Sequence, residues 1–535
     1  MIVQRTMFRR ACEEIAERIL RENAESKEEI AKIKKMVSRK YRLPKLPSDA
    51  DVLRAWKGRE GYERLRSILR LKPVRTISGV AVVSVMTSPA PCPHGKCIMC
   101  PGGVERGTPQ SYIGLEPAAQ RGAQHGYNPF RQVLARLKEL QEIGHDVDKV
   151  EVIVMGGTFP ARAKEYKEWF MLGIFNALNV FGRRAKIEKD LEKAKRKNER
   201  AKARCVGITF ETRPDYAKEE HIVEMLRYGG TKVELGVQSV YDDVLVERIK
   251  RGHTVEDVIE ATRLLKDSGF KVGYHIMPGL PGSNFERDLK MFETIFEDER
   301  FRPDYLKIYP TLVVEGTELY EMFRRGEYRP YSTDEVVELI ARAKKFFPEW
   351  VRVQRIQRDI PVGKAIGLDK GNVRQLIHLR LKELGYECRC IRCREVGHKL
   401  RNVRITDEIL KSAELVIRKY RASKGVEFFI SYELPDYDAL IGFIRLRFPH
   451  EPFIEAIEDC ALVRELHVYG KAVPLGGREA GAFQHRGFGE RLLKTAEEIA
   501  KQEFDRIAII SGVGVREYYR RFGYRKRFEY MVKRI

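Results

Sequence analysis

The sequence predicts an α/β multidomain protein. A basic helical segment takes residues 1–75, a partial (β/α)6 barrel 76–370, a small cysteine-rich linker 371–402 and an α+β domain 403–535. Three observations carry this reading. Between 76 and 370, short β-rich runs alternate with amphipathic helical stretches, the pattern of parallel strands joined by right-handed crossovers. Most of the nine cysteines fall in two tight clusters. A glycine-rich turn then opens a helix late in the chain, a geometry that exposes backbone N–H groups to an anion. The length of 535 residues suits about three or four domains.

Residues 1–75 show apolar residues at helical spacing in Ala11 to Asn23, Lys27 to Lys40 and Asp51 to Leu71. Leu43-Pro44-Lys45-Leu46-Pro47 breaks the run. The segment carries a net charge of about +10, within a formal +23 for the whole chain. A polyanionic partner is the natural reading, and nucleic acid is the commonest one. A generally basic, heat-adapted proteome is the alternative. No apolar run reaches the ~18 residues of a membrane span. The first ten residues hold three arginines with no apolar stretch behind them, so no signal peptide is expected.

Six strands are expected in the barrel: Ile77 to Met86, Lys149 to Met155, Cys205 to Phe210, Lys232 to Val237, Lys271 to Met277 and Tyr305 to Tyr309. Chemistry in such barrels sits at the C-terminal strand ends. Just past the first strand come Cys92, Cys97 and Cys100, spaced C-x4-C-x2-C. Three thiolates this close can hold an iron–sulfur cluster with one iron left open, or a zinc ion with a distant fourth ligand. Gly156 and Gly157 end the second strand, and glycine there lets a ligand meet the backbone. Glu211 ends the third strand, where a carboxylate can accept from a ribose or an ammonium. Gln238 follows the fourth strand and His275 lies in the fifth. Polar or glycine residues at successive strand ends suit a top-face pocket. Arg183 to Arg204 is nearly all Lys, Arg, Glu and Ala, and reads as an exposed helix of about +7 net charge.

In the linker, Cys388, Cys390 and Cys393 precede His398. Three thiolates and an imidazole complete a tetrahedral structural zinc site, with His378 as the alternative fourth ligand. Clustered cysteines suit metal ligation in a reducing cytoplasm, not a disulfide framework. In the last domain, Gln484-x-x-Gly487-x-Gly489 lies between a predicted strand and a predicted helix, as a pyrophosphate-binding loop would. Tyr518 and Tyr519 follow downstream. A tyrosine hydroxyl near a thioester sulfur can protonate the departing thiolate.

The cysteine triad with the Gly156-Gly157 and Gly236-x-Gln238 strand ends resembles a radical S-adenosylmethionine (SAM) barrel. The Gln484-x-x-Gly487-x-Gly489 loop resembles the acetyl-CoA loop of the GNAT acetyltransferases. Their fusion, with Pro101-Gly102-Gly103, Thr212-Arg213-Pro214-Asp215 and Glu465-Leu466-His467-Val468-Tyr469-Gly470, resembles the catalytic third subunit of Elongator in its stand-alone archaeal or bacterial form. The first cysteine gap is four residues, against three in most radical SAM enzymes.

The resemblance implies modification of the wobble uridine of tRNA. Cys92, Cys97 and Cys100 would hold a 4Fe–4S cluster, and Gly156, Gly157, Glu211 and Gln238 would bind SAM. A 5′-deoxyadenosyl radical would take hydrogen from the acetyl methyl of acetyl-CoA, and a carboxymethyl group would end on C5 of the uridine. Lys149, Glu465, Leu466, His467, Val468, Gln484, Gly487, Phe488, Gly489, Glu490 and Tyr519 would contact acetyl-CoA. Tyr518, Tyr519 and Lys149 are the catalytic candidates. Expected partners are tRNA, acetyl-CoA and an electron donor, with no membrane, a cytoplasmic location and room for a homodimer. The competing function is a protein lysine acetyltransferase with a merely structural iron–sulfur cluster.

Overall fold

The computed structural model describes residues 2–71, 76, 79–400, 403, 406–469 and 487–535. Helices Ile2–Arg21, Lys27–Lys40, Asp49–Trp56 and Tyr62–Leu69 form the N-terminal segment. Ser26 with Glu29, and Ser48 with Asp51, close capping boxes that satisfy the first free N–H groups of two of them. Their apolar faces meet in a small core built on Ile15, Ile19, Ile33, Val37, Leu53 and Leu65.

The barrel is one parallel sheet in sequence order: β1 (Ala81–Met86), β2 (Lys149–Met155), β3 (Arg204–Thr212), β4 (Lys232–Gln238), β5 (Lys271–Ile276), β6 (Tyr305–Ile308) and β7 (Arg352–Ile356). The six expected strands are all present, and the count of six is corrected to seven. β7 escaped notice because its inward residues are polar: Arg352 pairs with Glu395 at 2.6 Å instead of packing. The insertion also differs from expectation. Its helix is only Leu191–Asn198. Lys195 within it is buried, and its Nζ donates to the Arg227 carbonyl at 2.6 Å and to Glu529 at 3.0 Å. Those partners use part of the charge that composition assigned to solvent.

The C-terminal domain holds β8 (Glu414–Ala422), β9 (Gly425–Leu434), β10 (Ala439–Phe448), β11 (Cys460–Val468), β12 (Arg506–Ile510), β13 (Arg525–Arg527) and β14 (Tyr530–Arg534). Spatial order is β13-β14-β12-β11-β10-β9-β8. One face of this sheet lies against the floor of the barrel, where the strands begin. The contact is ionic and buried. Arg464 forks onto Asp304 with two bonds of 2.7 Å and reaches Glu427 at 2.8 Å. Arg447 donates to Asp267 at 2.6 and 2.8 Å. Arg445 donates to Glu465 at 2.9 Å, and the Tyr305 hydroxyl donates to the same carboxylate. Each charge is enclosed but partnered, the condition under which buried ions are tolerated. Around them the apolar core is continuous, with Leu462, Ala508, Ile510 and Val513 packed into the barrel's cluster.

Lys266 stands at this interface, 3.7 Å from Asp304 and 3.6 Å from Glu427. Burial pushes its ammonium down to about 8, outweighing both carboxylates. Between there and the ordinary lysine range near ~10.4, the unfolded chain binds the proton more tightly, so stability rises with pH across that window. Denaturant titrations should show wild type gaining on Lys266→Met between about pH 8 and 10.4. A pH-independent difference between the two would contradict the assignment.

Candidate active site

Cys92, Cys97 and Cys100 lie in the loop after β1, at the barrel mouth. Gly95 makes the turn possible: its φ is +88°, and its N–H donates to the Cys92 carbonyl at 3.0 Å. Ile98 is bonded to Ile249 at 3.3 Å and to Leu319 at 3.0 Å, which pins the loop to the mouth. Among the described residues, the Cys/His/Asp/Glu groups whose ligand atoms all lie within 4.8 Å are Cys388/Cys390/Cys393 and Glu211/Glu234/His275. The mouth sulfurs are therefore set wider than those of the linker. Zinc–sulfur bonds of about 2.3 Å draw thiolates together, whereas a wider triangle suits a larger body such as a four-iron cluster.

The strand ends complete the mouth. Gly156 (φ +114°) and Gly157 (φ +100°) turn the chain after β2, and a side chain at Gly156 would collide with Thr87. Gln238 holds φ +69°, a strained value for a non-glycine residue, and its buried Oε1 has no hydrogen-bond partner. That orphan acceptor is what a bound ligand with a donor would satisfy. Glu211 accepts from Lys307 at 2.9 Å and from the Tyr112 hydroxyl at 3.4 Å. The mouth thus collects the expected Cys92, Cys97, Cys100, Gly156, Gly157, Glu211 and Gln238.

Sequence reasoning missed the ions between mouth and floor. Lys307 also pairs with Glu234, which accepts from His275 at 3.1 Å. Below them Lys232 bridges Glu234 at 3.3 Å and Glu151 at 3.0 Å. An ordinary barrel interior is filled by branched aliphatic layers; this one is a ladder of alternating charge. Burial would raise the Glu234 carboxyl, but Lys307 and Lys232 outweigh it and hold the group well below the usual carboxylate range. The available signal was one lysine inside the apolar run Tyr305-Leu306-Lys307-Ile308.

The acetyl-domain residues gather elsewhere. β11 stays paired with β10 to Val468, but its ladder with β12 stops at Val463↔Ile509. The two strands then part: β11 runs beneath β6, while Gly512 and Gly514 turn onto the start of β3. Glu465, Leu466, His467 and Val468 line one side of that wedge. Gly487 (φ +81°) caps the helix Phe488–Ala500, whose first N–H groups form an anion site. Tyr518 brings its hydroxyl to the helix start, where a side chain at Gly489 would meet it at 3.0 Å. Burial raises that hydroxyl to about 12, so it stays protonated and able to donate. Tyr519 is buried in the domain core instead. Glu490 is paired with Lys494 at 2.9 Å. Lys149 opens β2 on the floor side, in register with Arg204, and burial lowers its ammonium. Gln484 lies outside the described residues.

The linker sulfurs form a compact triad with the Lys344 ammonium 3.1 Å from Cys388. His398 is engaged with Glu395 at 2.9 Å, and His378 lines the same cavity. The three close thiols fit three corners of a tetrahedral ion, but among the described residues neither histidine comes within 4.8 Å of all three sulfurs.

Replacing Lys307 by Met takes away the ammonium that Glu211 and Glu234 share. Glu234 is left with Lys232 and His275, and Glu211, apart from the Tyr112 hydroxyl, with only His275, 4.0 Å away. Loss of one partner of a buried pair costs about 3–5 kcal/mol. Urea denaturation at pH 8 should read that loss. The deficit should shrink as pH falls and a carboxyl takes up a proton in place of the ammonium.

Four family models match successive parts of the chain. Residues 8–77 match the ELP3 N-terminal domain, 89–295 the Radical SAM superfamily, 303–383 the Radical_SAM C-terminal domain and 403–524 the Acetyltransferase (GNAT) family. A tRNA uridine(34) acetyltransferase of Methanocaldococcus infernus is 50% identical, over 97% of this chain and 98% of its own. Elongator complex protein 3 of Homo sapiens is 45% identical, over 95% and 93%. The solved archaeal Methanocaldococcus infernus Elp3, with residues 1–46 deleted, is similar with a TM-score of 0.75 at 46% identity, covering 86% of this chain and 100% of that one. With half of its residues shared over nearly its whole length, the chain belongs to the family of the archaeal tRNA uridine(34) acetyltransferases and Elongator complex protein 3.

Proposed function

We propose that this chain is a tRNA-modifying enzyme that builds an acetyl-derived carboxymethyl group on C5 of the wobble uridine. The observation that carries the reading is the union of two sites across one buried ionic floor. A wedge suited to an acyl thioester sits under the barrel floor. A three-cysteine mouth sits over the same lumen. An acetyltransferase acting on protein lysines would need the first and not the second.

Cys92, Cys97 and Cys100 would hold a 4Fe–4S cluster, which when bound and reduced supplies the electron that cleaves SAM. An external donor must reduce it. Glu211 offers a carboxylate to the SAM ammonium or ribose, and Gln238 offers its unpartnered Oε1 to a donor of the same ligand. Gly156 and Gly157 keep the strand end open to backbone contact. In the wedge, the helix start at Gly487 to Glu490 would receive the CoA pyrophosphate, and Glu465 to Val468 would run beside its pantetheine arm. Tyr518 would give its proton to the departing thiolate. We assign Tyr519 to packing and leave Lys149 as a floor-side contact to test. The basic N-terminal helices would take tRNA phosphates, with binding that weakens steeply as salt rises. Cys388, Cys390 and Cys393 would hold a structural zinc with His378 or His398.

The test is a nucleoside mass spectrum after anaerobic incubation of cluster-loaded protein with SAM, reductant, acetyl-CoA and unmodified tRNA. A carboxymethyl mass gain on uridine, lost in Cys97→Ala, is expected. No gain on uridine with a full cluster, together with acetylated lysine in an added peptide, would move the acetyltransferase reading to first place.

A further inference from the structure

Each mouth cysteine has a different neighbour. Cys92 lies 4.0 Å from the Thr158 hydroxyl. Cys100 receives the Ser111 N–H at 3.3 Å and lies 3.1 Å from Gln110 Oε1. Cys97 is met by a ring: His94 Nε2 is 3.2 Å from its sulfur, and the Arg251 guanidinium is 3.6 Å away. His94 comes from the four-residue gap that separates the first two cysteines. The turn at Gly95 folds that gap back so the imidazole returns to the sulfur three residues on.

The sulfur selects one tautomer. His94 Nδ1 is buried with no hydrogen-bond partner. It is unpaired whether or not it carries the proton, so it does not choose between the tautomers. A sulfur bound to iron is a thiolate with no hydrogen of its own. The 3.2 Å contact is then a hydrogen bond only if Nε2 carries the proton and donates it.

The ring is also held in place. Gly252 (φ +74°) packs so closely that a side chain there would meet the His94 Cβ at 3.0 Å. Arg213 fixes that backbone by donating to the Arg251 carbonyl at 2.7 Å, and Asp215 holds Arg213 with bonds of 2.9 and 2.7 Å. Arg251 in turn donates to the Gly236 carbonyl at 3.1 Å.

We propose that His94 is a positioning residue of the cluster: its Nε2–H donates to the Cys97 sulfur and raises the cluster's reduction potential. Reduction adds negative charge to cluster and sulfurs, so a donor to sulfur stabilises the reduced form more than the oxidised one. The effect matters because the cluster must accept an electron before SAM can be cleaved. The proposal rests on the cluster reading of Cys92, Cys97 and Cys100.

The test compares wild type, His94→Phe and His94→Gln after anaerobic reconstitution, without SAM. Iron and sulfide content establish loading, and potentiometric titration followed by electron paramagnetic resonance (EPR) reads the potential. Phe fills the space but donates nothing. Gln can present an amide N–H near the Nε2 position. His94→Phe should shift the reduced-to-oxidised ratio against reduction by about tenfold, which is 59 mV for one electron. His94→Gln should recover most of the shift. Equal potentials in equally loaded proteins would overturn the proposal. If His94→Phe takes up no cluster, wild type labelled with 15N-histidine decides: pulsed EPR should detect a nitrogen coupling to the reduced cluster, and its absence would overturn the proposal. A wild type that loads no four-iron cluster would overturn the cluster reading and this inference together, a result distinct from an unchanged potential.

Discussion

The buried fork of Arg464 on Asp304, with Glu427, Arg447, Asp267, Arg445 and Glu465 around it, fixes everything else in this molecule. Arg–carboxylate pairs with two parallel bonds are directional, so they set angle as well as distance. They join Asp304, just ahead of β6, and Asp267, at the end of the helix Val255–Asp267, to β9, β10 and β11 of the second sheet. Had the floor been sealed by aliphatic side chains alone, the two domains could slide with little penalty. The ionic floor removes that freedom, because any slip strands a charge away from water. The cost of desolvating so many ions is offset by their mutual pairing, and the gain is a unique register between two domains that carry different chemistry.

That register gives the lumen its character. The wedge between β11 and β12 opens where Tyr305, Lys271 and Glu465 meet. Above it the charges alternate from Glu151 through Lys232, Glu234 and Lys307 to Glu211 at the mouth. The barrel is therefore polar along its whole axis, and its inward positions do not form a sealed core. A polar interior excludes bulk solvent yet tolerates polar ligands, whose groups can exchange places with existing partners. Preorganised charges of this kind act strongly because they need no rearrangement when a ligand arrives.

Much of this was legible in the sequence. The period-2 apolar runs announced β1 to β6, and the spacing of Cys92, Cys97 and Cys100 announced the mouth. The glycine loop announced the helix start at Phe488. Strand β7 was hidden because Arg352, Gln354 and Arg355 face charged neighbours and leave no apolar pattern. β8 was hidden for a related reason: it is an edge strand whose outward face mixes Leu415 and Ile417 with Lys419 and Arg421, while Arg418 on the other face pairs with Glu433. The insertion misled in the other direction: Lys195 is counted as a surface charge in any composition, but the fold gives it Glu529 and a carbonyl. Tyr518 and Tyr519 are adjacent in sequence and equivalent by motif, and only the packing separates the hydroxyl at Gly489 from the ring in the core. His94 and Lys307 needed three-dimensional contacts, because a single histidine or lysine has no periodicity to betray it.

The central claim is that wedge and mouth serve one reaction. Acetyl-CoA deuterated in its methyl group tests it most directly. With loaded protein, SAM, reductant and tRNA, the account predicts deuterium in the 5′-deoxyadenosine released, since the hydrogen taken at the mouth must come from the acetyl group held in the wedge. Deuterium-free 5′-deoxyadenosine formed alongside modified uridine would contradict it.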